Sequence, residues 1–389
     1  MQKIKILNNI QSKALDQLDK EKYEASVEAV EPSAIIVRSA KMHDMEFGPE
    51  LLCIGRAGAG VNNIPTDRCA GEGIVVFNAP GANAEAVKEL ALCAMLMSAR
   101  DVVGGVEWVK SVASEGDEVP ALVEKQKAKY IGPEIAGKTL GIVGLGAIGA
   151  KIAKAAIALG MTVYGYDPYL SVDAAWRLSP EIIKADDLNE IYKQADFISL
   201  HVPYLGTTHH MINKESISKM KPGVRVINLA RAELVCDDDM LEALGSGHVA
   251  FYVTDFPNGK TAGARGVIAI PHLGASTPES EDNCVSMVCS QIADYIENGN
   301  IRNPVNIAPA VLARTDKPRI CVIHVSDADM IAKLTAAVSS CGAGIENMIS
   351  ASAKGSLPSY TMLDISELPG RLESAIKDID GVIRVRVLP

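Results

Sequence analysis

Apolar runs long enough to cross a membrane are absent from this 389-residue sequence. None reaches the roughly 18 consecutive residues typical of a membrane-spanning helix. Residues 1–7 alternate like a strand and lack the apolar core of a signal peptide. We therefore expect a soluble protein of the cytoplasm.

Patterns typical of metal sites and disulfides are also lacking. The eight cysteines include no C-x-x-C pair, and no histidine stands at metal-ligand spacing from them. This pattern favours buried thiols in a reducing compartment and predicts no metal site.

Positive charge is in deficit, with a formal net charge of -10. This charge opposes attraction to nucleic acid or anionic lipid, so neither is an expected partner. An anionic substrate would need a local cluster of Arg or Lys.

Aromatic residues are scarce at 4%, yet 48% of the chain is hydrophobic and 22% is charged. That composition is ordinary for a globular protein, and the length suffices for two or three domains.

The first part of the chain reads as an α/β domain. Short apolar runs at residues 1–7, 34–37, 51–54 and 74–77 alternate with polar or Gly-rich stretches. A helix is predicted over residues 84–111, weakened in the middle by Gly104-Gly105. We expect a flavodoxin-like domain formed by residues 1–90 and 284–305.

The central part, residues 91–283, has the rhythm of a doubly wound parallel sheet of the Rossmann type. Helix-length segments separate its strand candidates. The six candidates are residues 139–143, 162–166, 197–201, 225–229, 249–254 and 267–270.

The last part begins with a helix over residues 279–297 and a Pro-containing linker over residues 302–318. The tail then follows a βαββαβ order, the ferredoxin-like arrangement. Its elements are predicted at residues 319–325, 327–341, 345–353, 360–365, 371–379 and 382–388. We expect residues 316–389 to form a separate module whose deletion leaves the rest active.

The sequence Gly144-Leu145-Gly146-Ala147-Ile148-Gly149 carries the clearest chemistry, because a strand precedes it and a helix follows it. The first glycine allows a tight turn, the second admits a pyrophosphate close to the backbone, and the third lets helix and strand pack closely. N–H groups at the helix N-terminus would then meet the phosphates.

Asp167 lies 18 residues beyond Gly149, at the end of the second strand. A carboxylate there accepts hydrogen bonds from the adenosine ribose. No Arg or Lys occurs in residues 168–171, so the sequence favours NAD over NADP.

Arg231, Asp255 and His272 stand at the ends of three later strands. Ligands of open α/β sheets bind outside the carboxyl ends of strands. Histidine exchanges a proton near neutral pH, and arginine holds a carboxylate through two parallel hydrogen bonds. Together they predict an active site.

Several of these segments resemble the D-isomer-specific 2-hydroxy-acid dehydrogenase family, and the tail resembles an ACT domain. The resemblance implies NAD-dependent oxidation of a small D-2-hydroxy acid, most closely 3-phospho-D-glycerate at the start of serine synthesis. It rests on residues 144–149, 167–168, 201–203, 228–231 and 271–276, and on the substrate-domain loops 37–39, 55–61 and 78–83.

The resemblance also implies residue roles. His272 would be the acid/base, Arg231 would orient the substrate carboxylate, and Asp255 would contact the nicotinamide carboxamide. Further cofactor contacts would come from Gly144, Gly146, Ala147, Ile148, Gly149, Asp167, Pro203, Ala230 and Gly274. Further substrate contacts would come from Arg38, Ser39, Arg56, Gly58, Ala59 and Asn83.

Two departures from the family stand out. No acid follows Asp255 in residues 256–260, where relatives place a Glu that pairs with the catalytic His; Glu233 is the first substitute to consider. In the tail, His324 matches a serine-contacting position, but Ser326 and Gly344 stand where Asn is expected. We therefore predict that the tail binds an amino-acid effector, which need not be serine.

Two alternatives remain at this point. One is a dehydrogenase of another acid, such as glyoxylate or hydroxypyruvate. The other is a non-catalytic, NAD-sensing binding protein of the same fold. A homodimer or homotetramer is expected in each case.

Overall fold

The computed structural model describes residues 1–8, 10, 13–352 and 357–389. The chain divides into two compact units, Met1–Ala82 with Glu281–Pro389, and Asn83–Ser280. Among the described residues, no helix combines the length and apolar character needed to span a membrane. The finer domain boundaries given above stay a prediction.

The first unit begins with a five-stranded parallel sheet in the order β2-β1-β3-β4-β5. The four strands expected from apolar runs are present, and the sequence missed only the short edge strand β2. The elements are β1 (Gln2–Ile6), β2 (Tyr23–Ser26), β3 (Ala34–Val37), β4 (Cys53–Arg56), α1 (Thr66–Gly71) and β5 (Val75–Phe77).

The second unit is a seven-stranded parallel sheet in the order β12-β11-β10-β9-β6-β7-β8. The six predicted strands are confirmed, the short edge strand β8 was missed, and the observed order is that of a doubly wound Rossmann sheet. The elements are α2 (Ala84–Ala99), α3 (Val102–Ser111), α4 (Val119–Gln126), β6 (Thr139–Val143), α5 (Ala147–Ala158), β7 (Thr162–Tyr166), α6 (Val172–Ala175), β8 (Ile183–Lys184), α7 (Leu188–Gln194), β9 (Phe197–Leu200), α8 (Lys214–Ser218), β10 (Val224–Asn228), α9 (Asp237–Ser246), β11 (Val249–Thr254) and β12 (Val267–Ala269).

The single helix expected over residues 84–111 is wrong. Arg100 is extended (φ -126, ψ 132), and α2 ends before it. The Asp101 side chain then accepts a hydrogen bond from the Gly104 backbone N–H and starts α3. An N-cap therefore divides the segment three residues before the glycine pair that was expected to weaken it.

The tail has the predicted βαββαβ order and forms an antiparallel sheet, β14-β15-β13-β16. The predicted end of its second strand, Ala353, lies outside the described residues. The elements are α10 (Pro278–Asn298), β13 (Arg319–His324), α11 (Met330–Ser340), β14 (Ile345–Ala351), β15 (Ser359–Ile365), α12 (Leu372–Lys377) and β16 (Val382–Leu388).

Part of the predicted linker, residues 306–308, is buried, whereas most of residues 311–318 are exposed or half-buried. The Asn306 side chain accepts from the Val76 N–H and donates to Ile74 O, both at 2.8 Å, while Ile307 and Ala308 are buried. Unpaired backbone groups next to β5 are satisfied in this way.

The tail sheet also shares a hydrophobic cluster with the rest of the first unit. The Tyr360 hydroxyl donates to Gly299 O at 2.7 Å. Tail members of the cluster are Cys321, Ile323, Tyr360, Met362 and Leu388; others are Phe77, Val288, Ile292 and Tyr295. One face of the tail sheet is therefore covered by this unit.

Candidate active site

The turn between β6 and α5 has the geometry that the glycine fingerprint predicts. Gly144 has φ +94, and a Cβ on it would lie 2.5 Å from His201 O. A Cβ on Gly149 would lie 2.0 Å from Gly144 O. Both contacts are far below normal van der Waals distances, so the fold itself requires these two glycines.

Gly146 is different, because a Cβ built on it would meet nothing within 4 Å. It is the N-cap of α5 and provides no side-chain cap for the first-turn N–H groups. The packing of the described residues does not demand glycine here. Open space beside uncapped N–H donors fits the close approach of a pyrophosphate.

Asp167 lies at the end of β7, against the same turn. Its Oδ2 accepts from the Leu145 N–H and its Oδ1 from the Tyr169 N–H, both at 2.9 Å. Each carboxylate oxygen retains acceptor capacity for a ribose hydroxyl. The structure therefore joins the predicted ribose acceptor to the fingerprint turn.

His201, at the end of β9, also borders this turn and was not assigned a role from sequence. Its Nε2 lies 2.7 Å from Ser199 Oγ. Burial lowers the pKa of His201 to about 4, so the ring is neutral at pH 7. Its backbone carbonyl packs against the turn at Gly144.

Asp255 follows β11 and is 1% exposed. Its Oδ2 accepts from the Gly274 N–H at 3.3 Å, while its Oδ1 is buried without a hydrogen-bond partner among the described residues. Burial raises the pKa of this carboxyl, and the charges of His272 and Arg231 oppose that shift. The structure thus brings the three strand-end residues into electrostatic contact, and the orphan oxygen fits an amide donor such as the nicotinamide carboxamide.

His272 is exposed, and its ring packs on Phe256 with ring centroids 4.6 Å apart. In the part of the chain that the structure describes, His272 forms no ion pair or hydrogen bond with a carboxylate, Glu233 included. The departure seen in the sequence therefore persists in the fold. Phe256 was missed from sequence, although an aromatic residue directly after a strand-end acid was the available signal.

Arg231 is exposed, and its Nη1 donates to Ala230 O at 2.6 Å. The loop that carries it is held by buried Asn228, whose Nδ2 donates to Arg231 O at 2.8 Å and whose Oδ1 accepts from the Ala230 N–H at 3.2 Å. Asn228 was part of a recognised segment, but its positioning role emerges only from the fold. Pro203 has its carbonyl held by Thr208 Oγ1 at 2.8 Å.

The substrate-loop residues of the first unit form a second group. Arg56 Nε donates to Arg38 O at 3.1 Å, and the Arg56 guanidinium occupies the space that a Cβ on Gly58 (φ +148) would need. Asn8 Oδ1 accepts from the N–H groups of Arg38, Ser39 and Ala40 at 3.3, 3.0 and 2.9 Å. Asn8 is therefore a further loop-positioning residue that the sequence did not reveal.

Three further observations concern the predicted substrate-binding residues. Arg38 forms an ion pair with Glu281, so its charge is partly neutralised. Ala59 O accepts from Asn78 Nδ2 at 2.7 Å. Asn83 lies apart from the group in the chain, as the N-cap of α2 without a side-chain cap.

In the tail, both nitrogens of buried His324 are engaged. Nδ1 lies 2.7 Å from Val325 O and Nε2 lies 2.9 Å from Thr361 Oγ1. Ser326 Oγ lies 2.7 Å from Ser359 Oγ. These internal contacts leave His324 no free nitrogen for an effector in this conformation.

The fold and the second unit's site define a dinucleotide-binding domain. The fingerprint turn, the Asp167 carboxylate and three polar residues that follow the neighbouring strands β10, β11 and β12 occur there together. Comparison with known proteins agrees: residues 92–274 match the family model described as D-isomer specific 2-hydroxyacid dehydrogenase, NAD binding domain.

The chain resembles characterised proteins of this kind over most of its length. It is 31% identical to the D-3-phosphoglycerate dehydrogenase of Mycobacterium leprae over 382 residues, which are 95% of this chain and 68% of that protein. It is 38% identical to the hydroxypyruvate reductase of Thermotoga maritima over 266 residues, 64% of this chain and 80% of that protein. It spans about half of two other D-3-phosphoglycerate dehydrogenases, 49% and 56% of their lengths.

Among solved structures, the NAD+-bound 3-phosphoglycerate dehydrogenase of Entamoeba histolytica superposes with a TM-score of 0.60 at 25% identity. The match covers 78% of this chain and 98% of that one. The chain belongs to the D-isomer specific 2-hydroxyacid dehydrogenase family, whose nucleotide-binding domain takes NAD.

Proposed function

We propose that the protein oxidises 3-phospho-D-glycerate at C2 to 3-phosphooxypyruvate with NAD. The observation that carries a dehydrogenase function is the position of Arg231, Asp255 and His272 after the adjacent strands β10, β11 and β12 in the unit that bears the fingerprint. For the substrate, the supporting observation is the M. leprae match, which extends over 95% of this chain and so includes the tail.

Each role in the proposed reaction is assigned to a residue of this chain. When bound, NAD would supply the hydride-accepting chemistry of the reaction. His272 takes the proton of the hydroxyl group during oxidation and returns it during reduction. The Arg231 guanidinium holds the substrate carboxylate and polarises the reacting oxygen. Asp255 Oδ1 would hold the nicotinamide carboxamide, and Phe256 packs beside the His272 ring.

A hydroxypyruvate or glyoxylate reductase is the second candidate. Two observations favour it: the similarity to the T. maritima protein, and the ion pair of Arg38 with Glu281, which competes with a substrate phosphate. In the first candidate, Arg38 and Arg56 are the expected partners of that phosphate.

The tail is proposed to be an ACT-like module with an amino-acid effector, on the strength of its strand order. The engaged nitrogens of His324 do not support a serine site of the usual kind. We also propose that the protein assembles as a homodimer or homotetramer. A thermal-shift screen of amino acids tests the effector, and sedimentation analysis tests the oligomeric state.

The decisive test follows NADH absorbance with a panel of phosphorylated and unphosphorylated 2-hydroxy and 2-oxo acids. A kcat/KM for 3-phosphoglycerate well above that for glycerate supports the first candidate, and the reverse order supports the second. Absence of turnover with every acid contradicts both and leaves a binding protein.

Variants assign the roles. His272→Ala is expected to lower kcat by about 100- to 10,000-fold, whereas Asp167→Ala raises KM for NAD more than it lowers kcat. Asp173→Ala, an exposed acid in α6, is the control. An unchanged kcat in His272→Ala would remove that residue from the mechanism.

A further inference from the structure

A cavity of about 310 Å³ lies within the first unit, beside the edge strand β16. Its walls combine apolar and basic side chains and contain no Asp or Glu. The residues that matter are Leu52, Ile383, Lys377, Arg384 and Arg386. The volume stands at the lower end of small-molecule pockets, about 300–1,000 Å³.

Arg386 has a structural task that explains its position. Its Nη1 and Nη2 donate to Tyr295 O and Ile296 O at 3.1 and 3.0 Å, in the last turn of α10. Its guanidinium also stacks on the Tyr295 ring, 4.4 Å from the centroid. A cation at a helix C-terminus satisfies unpaired carbonyls and the helix dipole.

Arg384 has no comparable explanation. It donates to one backbone carbonyl, Leu51 O, and forms no ion pair with a carboxylate of the described residues. A guanidinium has five N–H donors, so most of its donors stay available. Burial lowers the pKa of Arg384, and the charge of Arg386 acts in the same direction, whereas Tyr295, Glu72 and Glu50 act in the opposite direction.

Lys377 adds a third cation from the end of α12. Its partner is Glu373, at 2.6 Å on the same helix, with both side chains about half exposed. Such a surface pair is weak and readily exchanged for a better anion. The cavity thus presents three cations without a carboxylate in its wall, in a protein whose net charge is -10.

We propose that this cavity binds a small organic polyanion, a di- or tricarboxylate or a phosphate ester. Arg384 and Lys377 hold its charged groups, and Leu52 and Ile383 contact its carbon skeleton. The site is separate from the residues of the proposed dehydrogenase function. It joins the tail strand β16 to the chain just before β4, so an occupied cavity would fasten the tail sheet to that segment.

The test is calorimetric titration of the full-length protein with citrate, in the presence of saturating NADH. We expect one citrate per chain. Arg384→Gln and Lys377→Gln should each weaken binding by about tenfold, because each removes a charge-assisted contact. Lys333→Gln is the matched control, since this tail lysine pairs with Asp327 and does not line the cavity.

Three outcomes overturn the proposal. In the first, no citrate binds at millimolar concentration. In the second, the two cavity variants bind citrate as tightly as Lys333→Gln does. In the third, citrate binding is lost in Arg231→Ala but kept in Arg384→Gln. The last result would place the citrate at the dehydrogenase site instead. If Arg384→Gln does not fold, Lys377→Gln still decides, because its side chain is half exposed.

Discussion

At the scale of single residues, the buried carboxylate of Asp255 lacks a partner for one of its oxygens among the described residues. A carboxylate that is 1% exposed and has one oxygen without a partner destabilises the folded protein, because desolvation is not repaid by hydrogen bonds. The nearby charges of His272 and Arg231 offset only part of this effect, since the net shift of the Asp255 pKa is upward. A bound amide donor would remove the remaining penalty.

This state predicts a pH-dependent effect of Asp255→Asn in the protein without NAD. Because the pKa of Asp255 is raised in the folded state, the unfolded chain releases this proton at lower pH, near the ordinary value of about 3.9. The folded protein therefore loses stability as pH rises from that value through the raised pKa. Asp255→Asn should melt at a higher temperature than wild type at pH 7, and the difference should shrink as pH falls toward 4.

The control for this prediction is Asp173→Asn, whose acid is exposed in α6. NADH affinity should fall in Asp255→Asn and stay unchanged in the control. A variant that is less stable than wild type at pH 7 would show that the carboxylate has a stabilising partner.

At the scale of elements, sequence patterns predicted what periodicity and turn chemistry specify. The six Rossmann strands carry apolar runs because a parallel sheet is covered on both faces, and Gly144 and Gly149 are fixed by close contacts of the turn itself. The break between α2 and α3 was misplaced, because Asp101 as an N-cap outweighs the low helix propensity of Gly104-Gly105. β8 has only two residues, both exposed, and so leaves no apolar signal.

The candidate site divides in the same way. Arg231, Asp255 and His272 could be found because each follows a predicted strand. Asn8 and Asn228 could not, because their hydrogen bonds join segments or turn geometries that only the folded chain defines. Every asparagine side chain has the same donors and acceptors, so the sequence does not show which loop it will bind.

The junction of β13 and β15 depends on a buried ion pair, and its loss should be costly. Arg319 and Asp364 are both 0% exposed, with Nε to Oδ1 at 2.6 Å and Nη2 to Oδ2 at 3.0 Å. Arg319 also donates to the carbonyls of Asn298, Leu312 and Ala313. Arg319→Met should lower the free energy of unfolding by about 3–5 kcal/mol, because it leaves a buried carboxylate unpaired.

The double variant Arg319→Met with Asp364→Leu tests the cause. It should recover part of the loss, since no charge is then stranded, whereas the three carbonyls stay unpaired. Urea denaturation of the three proteins measures this difference. Most substitutions lower the free energy of unfolding by about 0.5–3 kcal/mol. If the value for Arg319→Met lies within about 1 kcal/mol of wild type, water has replaced the arginine.

At the scale of the whole molecule, the composition of the tail strands indicates what surrounds the tail sheet. All six residues of β13 and all seven of β15 are buried. Ile320 and Val322 of β13 belong to the tail's own cluster with α11 and α12, whereas Cys321 and Ile323 belong to the cluster of the first unit. A free module with one solvated sheet face would alternate polar and apolar residues. Apolar character on both faces indicates that a second layer covers the sheet.

This packing changes what is expected of a chain that ends at residue 318. Removal of the tail exposes the face formed by Phe77, Val288, Ile292 and Tyr295, and withdraws five buried tail side chains from their cluster. At about 1.5–3 kcal/mol for each large apolar side chain, the loss is comparable to the entire stability of a typical domain. We therefore expect the truncated protein to aggregate or to melt far below wild type, in contrast to the sequence-based expectation of an active remainder.

Tyr360→Phe in the full chain is the control, because it removes the hydroxyl contact to Gly299 O and keeps the apolar contact. A truncated protein with native melting temperature and turnover would show that the shared cluster contributes little, and the tail would then be an independent module.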